Sequence, residues 1–254
     1  AGTTGESPTL SHHEHRKVIE ISVKETNGKI PVIAGTGSNS TSEAVELSMH
    51  AEKSGAKGLL IVTPYYNKPT QEGLYQHYKK INDNVGIPII IYNIPSRSVI
   101  DMTVETMSRL FELKNILGVK DATGDLKRVD QQLKVMGSDF VQLTGEDNNA
   151  LEFNKRGGSG CISVTANIAA QLCSEFQAAS LQKNNSDLLL KAKKINDLLT
   201  PLHKALFIES NPSPVKYAAS LLKLSTDDVR LPLVKVTDST KNAVKDALLF
   251  AKLL

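Results

Sequence analysis

Apolar residues return along this chain in one repeated unit: a short run apolar on both faces, a polar loop, then a segment with apolar positions at helical spacing. Six such runs stand at residues 30–35 (IPVIAG), 58–64 (GLLIVTP), 87–93 (IPIIIYN), 115–120 (NILGVK), 139–145 (DFVQLTG) and 160–165 (GCISVT). Strands apolar on both faces that alternate with helices predict a parallel sheet covered by helices. Helix starts are marked at Ser11-His12-His13-Glu14 and Ser40-Thr41-Ser42-Glu43. Both fit a capping box, in which the N-cap hydroxyl and the carboxylate three residues on satisfy orphan amide donors reciprocally. From Ile168 onward the strands stop, and long helical patterns follow, interrupted at Thr200-Pro201 and at Asn211-Pro212-Ser213-Pro214.

Such a series closes most simply into an α/β fold of the (β/α)8 TIM-barrel type. Six complete units leave two strands unaccounted for. The opening AGTTGE reads as the tail of a strand and its loop, so the expectation is a barrel lacking its first strand-helix unit and most of its second strand. No linker divides the chain. Residues 1–167 are expected to form the barrel, and residues 168–254 a C-terminal helical region that includes the barrel's last helix. An open doubly wound sheet is the rival arrangement. Against it, no GxGxxG fingerprint follows a strand, and Gly35-Thr36-Gly37 lacks the third glycine.

Composition narrows the function classes. A chain of 254 residues with 40% hydrophobic content can bury a sizeable core. Its net charge of +3 is spread along the sequence without a basic stripe, which argues against nucleic acid as a partner. Cys161 and Cys173 have no metal-type spacing and suit two buried thiols in a reducing compartment. No apolar run is long enough for a membrane span and no signal peptide opens the chain, so a soluble cytoplasmic protein is expected.

In a barrel the functional residues gather at the C-terminal strand ends. Reading those ends gives Thr3-Thr4, Tyr65-Tyr66, Tyr92-Asn93, Lys120, Gly145 and Ile162-Ser163. Hydroxyl groups and one amine are therefore expected at one mouth. An amine partly removed from water loses proton affinity, and the free base can attack a ketone to form a Schiff base while nearby hydroxyls carry protons. The competing reading of Lys120 is a snorkelling or salt-bridged structural lysine. Asp121 follows Lys120, but neighbours along a strand point to opposite faces, so it should not share the site.

The stretches GTTGE (2–6), TPYYNKPTQEGLY (63–75), YNIPSR (92–97), GVKDATGD (118–125) and the glycine-rich run ending in ISVT (157–165) resemble the pyruvate-dependent Schiff-base aldolases, and among them the dihydrodipicolinate synthase family. The likeness spans essentially the whole chain. It implies a (β/α)8 barrel with C-terminal helices, and condensation of pyruvate with aspartate semialdehyde toward diaminopimelate and lysine. Carried over, Lys120 would form the Schiff base and Tyr92 would donate and accept protons beside it. Thr3 and Tyr66 would complete a hydroxyl relay, Tyr66 reaching across a subunit interface. Thr4 would bind the pyruvate carboxylate, Gly145 and Ile162 would offer backbone groups, and Arg97 would receive the carboxylate of the aldehyde. Sialic-acid lyases share the lysine and tyrosine motifs but not that arginine, so the synthase is favoured over another aldolase of the superfamily.

The resemblance further implies feedback inhibition by lysine, held by Ser7, His12, His15, Asn39, Glu43 and Tyr65, and a homo-oligomer, a dimer or a dimer of dimers. The bare residues of the His12-His13-Glu14-His15 stretch also admit a metal reading, but His12 and His15 are three apart, the pattern is not HExxH and no second ligand cluster answers it. Solvated imidazoles on a capped helix start are the plainer reading. No metal or cofactor is expected. Gly157-Gly158-Ser159-Gly160 precedes its strand and is expected to be a tight turn. A non-catalytic ligand-binding barrel stands as the alternative to the enzyme.

Overall fold

The computed structural model describes residues 1–254, which form two compact units. The first comprises residues 1–2, 10–143 and 156–158, and the second residues 3–9, 144–155 and 159–254.

The first unit alternates helices and strands: α1 (His12–Thr26), β1 (Ile33–Gly35), α2 (Thr41–Lys53), β2 (Gly58–Val62), α3 (Gln71–Asn82), β3 (Ile89–Asn93), the short α4 (Pro95–Ser98), α5 (Val104–Phe111), β4 (Ile116–Asp121), α6 (Lys127–Met136) and β5 (Val141–Thr144), whose last residue belongs to the second unit. The ladders are parallel, with Ile33 opposite Gly58, Leu60 opposite Ile90 and Tyr92 opposite Lys120. Leu59, Ile61, Ile89, Ile91 and Val119 are buried with Leu74, Tyr78, Ile81, Met107 and Leu110 of the helices. Alternate positions Leu60, Val62 and Tyr92 pack instead with Ile94 and Ala122. Two apolar faces on one strand explain the unbroken runs in the sequence. β4 and β5 approach so closely that a Cβ on Gly118 would run into the Val141 carbonyl.

The second unit carries a single turn at Asp147–Asn149, α7 (Ala150–Arg156, whose last residue belongs to the first unit), β6 (Gly160–Cys161), a second turn at Thr165–Asn167, then α8 (Ala170–Ser180), α9 (Ser186–Ala205), α10 (Ser213–Leu221) and α11 (Asp238–Phe250). Within it the Ile162 amide donates to the Thr144 carbonyl at 3.0 Å; the strands of the first unit take the sheet order β1-β2-β3-β4-β5. Its core gathers Phe176, Ile195, Leu199, Leu202, Val215, Val244 and Leu248. Gly157 and Gly160 take φ of 128° and 141°, as the turn into β6 requires.

Three expectations need correction. The run at 160–165 is strand only at Gly160–Cys161, because the Asp147 carboxylate captures the amides of Val164 (2.9 Å) and Thr165 (3.2 Å) and turns the chain away from a ladder. Helix α9 continues through Pro201, its apolar face of Ala192, Ile195, Leu199 and Leu202 outweighing one lost amide bond. The Ser11–Glu14 capping box is present, but Ser40 makes no side-chain cap. Glu43 is engaged elsewhere, by the Ser38 hydroxyl and by His12.

Candidate active site

Two of the expected site residues meet on adjacent strands of the first unit. Lys120 and Tyr92 are register partners on β4 and β3, and both side chains point to the face where Leu60 and Val62 pack. The Lys120 ammonium stands 4.2 Å from the centroid of the buried Tyr92 ring. A ring face attracts a cation, while the phenol at its edge can carry a proton to or from whatever the amine binds. Asp121 and Asn93, the next residues and again register partners, face the opposite way, as the strand period demands.

Arg97 is exposed on α4, immediately after β3. That helix is shaped by Ser98, whose hydroxyl donates to the carbonyls of Ile94 (2.9 Å) and Ile100 (3.0 Å). Tyr65 and Tyr66 follow β2 on a loop where Tyr66 takes φ of 73° and is 89% exposed. Asn39 Nδ2 donates to the Tyr65 carbonyl at 3.2 Å, and Asn67 Nδ2 to the Asn39 carbonyl at 2.9 Å. His12 Nε2 meets Glu43 Oε1 at 2.7 Å. Burial first, then the Glu43 carboxylate, raises the Tyr65 phenol above its ordinary range.

His15 departs from the solvated imidazole expected of it. It is buried, with Nε2 2.7 Å from the Gly35 carbonyl oxygen, and burial lowers its proton affinity even though that carbonyl works the other way. Thus the structure joins His12 to Glu43 and Asn39 to Tyr65, and sets His15 against β1.

In the second unit, Thr4 Oγ1 accepts from Asn211 Nδ2 at 2.9 Å, and the Thr3 carbonyl accepts from the Glu6 amide at 3.0 Å. Ser7 begins a single helical turn, Ser7–Thr9. Burial works to raise the Glu6 carboxyl, yet Lys216 Nζ at 2.6 Å and the Arg230 amide at 3.2 Å together hold it below its ordinary value. Gly145 and Ile162 stand on two loops that Asp147 ties together through the Val164 and Thr165 amides. His203 Nδ1 lies 2.7 Å from Thr165 Oγ1 behind them. Both cysteines are free, and burial pushes the Cys173 thiol up to about 11.

Sequence reasoning passed over Asp147 as a clamp, and Arg128, whose guanidinium reaches Asp121. Neither has a signal in the linear pattern. No group of three or more His, Cys, Asp or Glu side chains is arranged to hold a metal ion, and no helix is long and apolar enough to cross a membrane.

Residues 1–251 match the model of the Dihydrodipicolinate synthetase family. Over all 254 residues the chain is 72% identical to the 4-hydroxy-tetrahydrodipicolinate synthase of Pelagibacter ubique, spanning 86% of that protein. It is 60% identical over 253 residues to the same enzyme of Bradyrhizobium diazoefficiens, spanning 84% of it. Among solved structures it is similar to the chloride-inhibited dihydrodipicolinate synthase from Acinetobacter baumannii complexed with pyruvate, with a TM-score of 0.96 and 45% identity, covering 100% of this chain and 86% of that one. The enzyme from Cyanidioschyzon merolae with lysine bound gives a TM-score of 0.94 at 35% identity, covering 100% and 85%. With strand order, the paired lysine and tyrosine and these matches in agreement, the chain belongs to the dihydrodipicolinate synthetase family.

Proposed function

We propose that the chain condenses pyruvate with aspartate semialdehyde through a Schiff base on Lys120, as a cytoplasmic enzyme of diaminopimelate and lysine biosynthesis. The observation that carries this reading is the Lys120 amine 4.2 Å from the Tyr92 ring on the neighbouring strand. The amine attacks C2 of pyruvate, and loss of water leaves the imine. Removal of a C3 proton turns the imine into an enamine, whose C3 bonds to the aldehyde carbon of the second substrate while the aldehyde oxygen gains a proton. The amino group of that substrate then attacks C2 and displaces Lys120, closing the ring and freeing the lysine for another turnover.

Tyr92 moves the protons at C3 and at the departing water, with Thr3 and Tyr66 completing the hydroxyl relay. Thr4 receives the pyruvate carboxylate, with the backbone of Gly145 and Ile162 beside it. The planar fork of Arg97 suits the acceptor's carboxylate. An aromatic ring 89% exposed on left-handed backbone is a costly surface feature, which supports a Tyr66 that serves a second copy of the chain in a dimer or a dimer of dimers. The parallel ladders of β1 to β4, in sequence order, are read as part of a (β/α)8 barrel. Free lysine is the inhibitor, held by Ser7, His12, His15, Asn39, Glu43 and Tyr65, where carboxylate, amide and imidazole groups match an amino acid with two ammonium groups.

Borohydride reduction with pyruvate, followed by intact mass and peptide mapping, tests the reaction. A reduced adduct on the peptide carrying Lys120, absent from Lys120→Ala, is the expected result. Folded protein that yields no adduct would replace the enzyme with a ligand-binding barrel.

A further inference from the structure

Behind the lysine and tyrosine lies a closed ring of polar contacts that the reaction scheme leaves unused. The Asp121 carboxylate is buried, and it accepts from Arg128 Nε (2.9 Å), from the amide (2.9 Å) and hydroxyl (2.6 Å) of Thr123, and from Gln132 Nε2 (3.3 Å). The Arg128 side chain is only 11% exposed and donates onward to the Met102 carbonyl at 2.8 Å, with Asp101 at 3.5 Å. Asn93 completes the circuit: its Nδ2 donates to Asp101 Oδ1 at 2.7 Å, its Oδ1 accepts the Met102 amide at 3.0 Å, and its carbonyl accepts the Ala122 amide at 2.9 Å.

Asn93, Asp121 and the Asp101-Met102 pair each adjoin a residue or segment of the proposed chemistry. Asn93 follows Tyr92, and Asp121 follows Lys120, so the ring joins the last rungs of β3 and β4 directly beneath the reacting pair. Asp101 and Met102 end the segment that begins at Ile94 and carries Arg97. Strand ends fray when nothing holds them, and a long lysine side chain magnifies any drift of its backbone. A buried charge pair with its remaining donors and acceptors satisfied is a rigid anchor, whereas removing either partner strands the other.

Resting on the Schiff-base reading, we propose that Asp121 and Arg128 are positioning residues for that step. Their ion pair holds the Lys120 amine and the Tyr92 phenol in one geometry and steadies the segment bearing Arg97. The ring touches no reacting atom. Its loss therefore slows imine formation while leaving the affinity for pyruvate largely in place, since misplacement of a reacting group by about 1 Å costs on the order of 100-fold in rate.

The test measures single-turnover imine formation, kcat and the KM for pyruvate on the full chain and on Asp121→Asn, Arg128→Lys and Asp121→Glu, with rates expressed per folded molecule from circular dichroism. Asp121→Asn and Arg128→Lys are expected to lower the imine rate and kcat by about 10–100-fold with KM within about threefold, and Asp121→Glu to recover part of the loss. A structural role alone would lower the melting midpoint and leave the rate per folded molecule unchanged, which overturns the proposal. Should the buried variants not fold, Asp101→Asn at the more exposed rim decides: a slower imine rate at unchanged KM supports the ring, and an unchanged rate overturns it. Trapping by the unsubstituted chain separates the two readings, because its failure removes the Schiff-base chemistry itself, whereas equal trapping by all variants removes only the role of the ring.

Discussion

A lysine near the end of a buried strand needs compensation for its charge, and at Lys120 part of it comes from the aromatic face across the ladder. Such a contact is worth about 0.5–2 kcal/mol, enough to orient the side chain without fixing it. Arg97 differs in being exposed on a short helix, where a cation costs little to keep ready. A charge-assisted bond of about 1.5–3 kcal/mol corresponds to a 10–100-fold change in affinity, so Arg97→Ala should raise the KM for the aldehyde by that factor. Imine formation with pyruvate should stay at its original rate in single-turnover trapping, and a loss of pyruvate binding instead would remove the role assigned to Arg97. Lys120 and Tyr92 were legible in the sequence because each stands at or next to the end of a β-rich apolar run, where a charge or a phenol stands out. His12 and His15 were not distinguishable there. Their spacing says nothing of which ring meets the Gly35 carbonyl and which meets Glu43.

Strands and helices were read from the period of apolar positions, and their existence survives in the structure while their ends shift. β1 shortens to Ile33–Gly35 and β6 to Gly160–Cys161, since pairing partners, not composition, decide where a ladder stops. The two cap motifs carry the same signal, yet only Ser11 forms its box, because Glu43 has stronger partners than the helix start. Gly118 marks a close approach between two strands. Any side chain there must displace the Val141 backbone, so Gly118→Ala should destabilise the chain by about 1–3 kcal/mol, seen as a lower urea midpoint at unchanged slope. An unchanged midpoint would mean that β4 and β5 can separate without cost. Alanine favours a strand no less than glycine does, which makes the direction of this change a property of packing.

Stability across pH belongs to the folded chain as a whole, through histidines that folding removes from water. His77 on α3 is buried, with Nδ1 2.9 Å from Thr41 Oγ1, and burial lowers it to about 4. The unfolded chain, with an ordinary histidine near 6.5, binds the proton first. Stability is therefore full above about pH 6.5, falls as the pH drops toward 4 and levels off below, a loss on the order of 3 kcal/mol for this group. His15 and His203 are lowered by burial as well and add to the loss in the same direction. Urea unfolding between pH 7 and pH 4 should show the decline, and His77→Gln should flatten it; an equal slope in the variant would assign the effect to other groups. The alternation of strand and helix, the C-terminal helices and the candidate lysine follow from local chemistry, since period, cap and strand-end residues act on their immediate neighbours. Sheet closure does not follow from those patterns, because strands apolar on both faces are equally satisfied in an open or a closed sheet. The meeting of Asp121 with Arg128, of Asp147 with the Val164 and Thr165 amides, and of His12 with Glu43 depends on where loops return the chain. Polar partners distant in sequence leave no periodic trace, and it is folding that chooses among many chemically equivalent pairs.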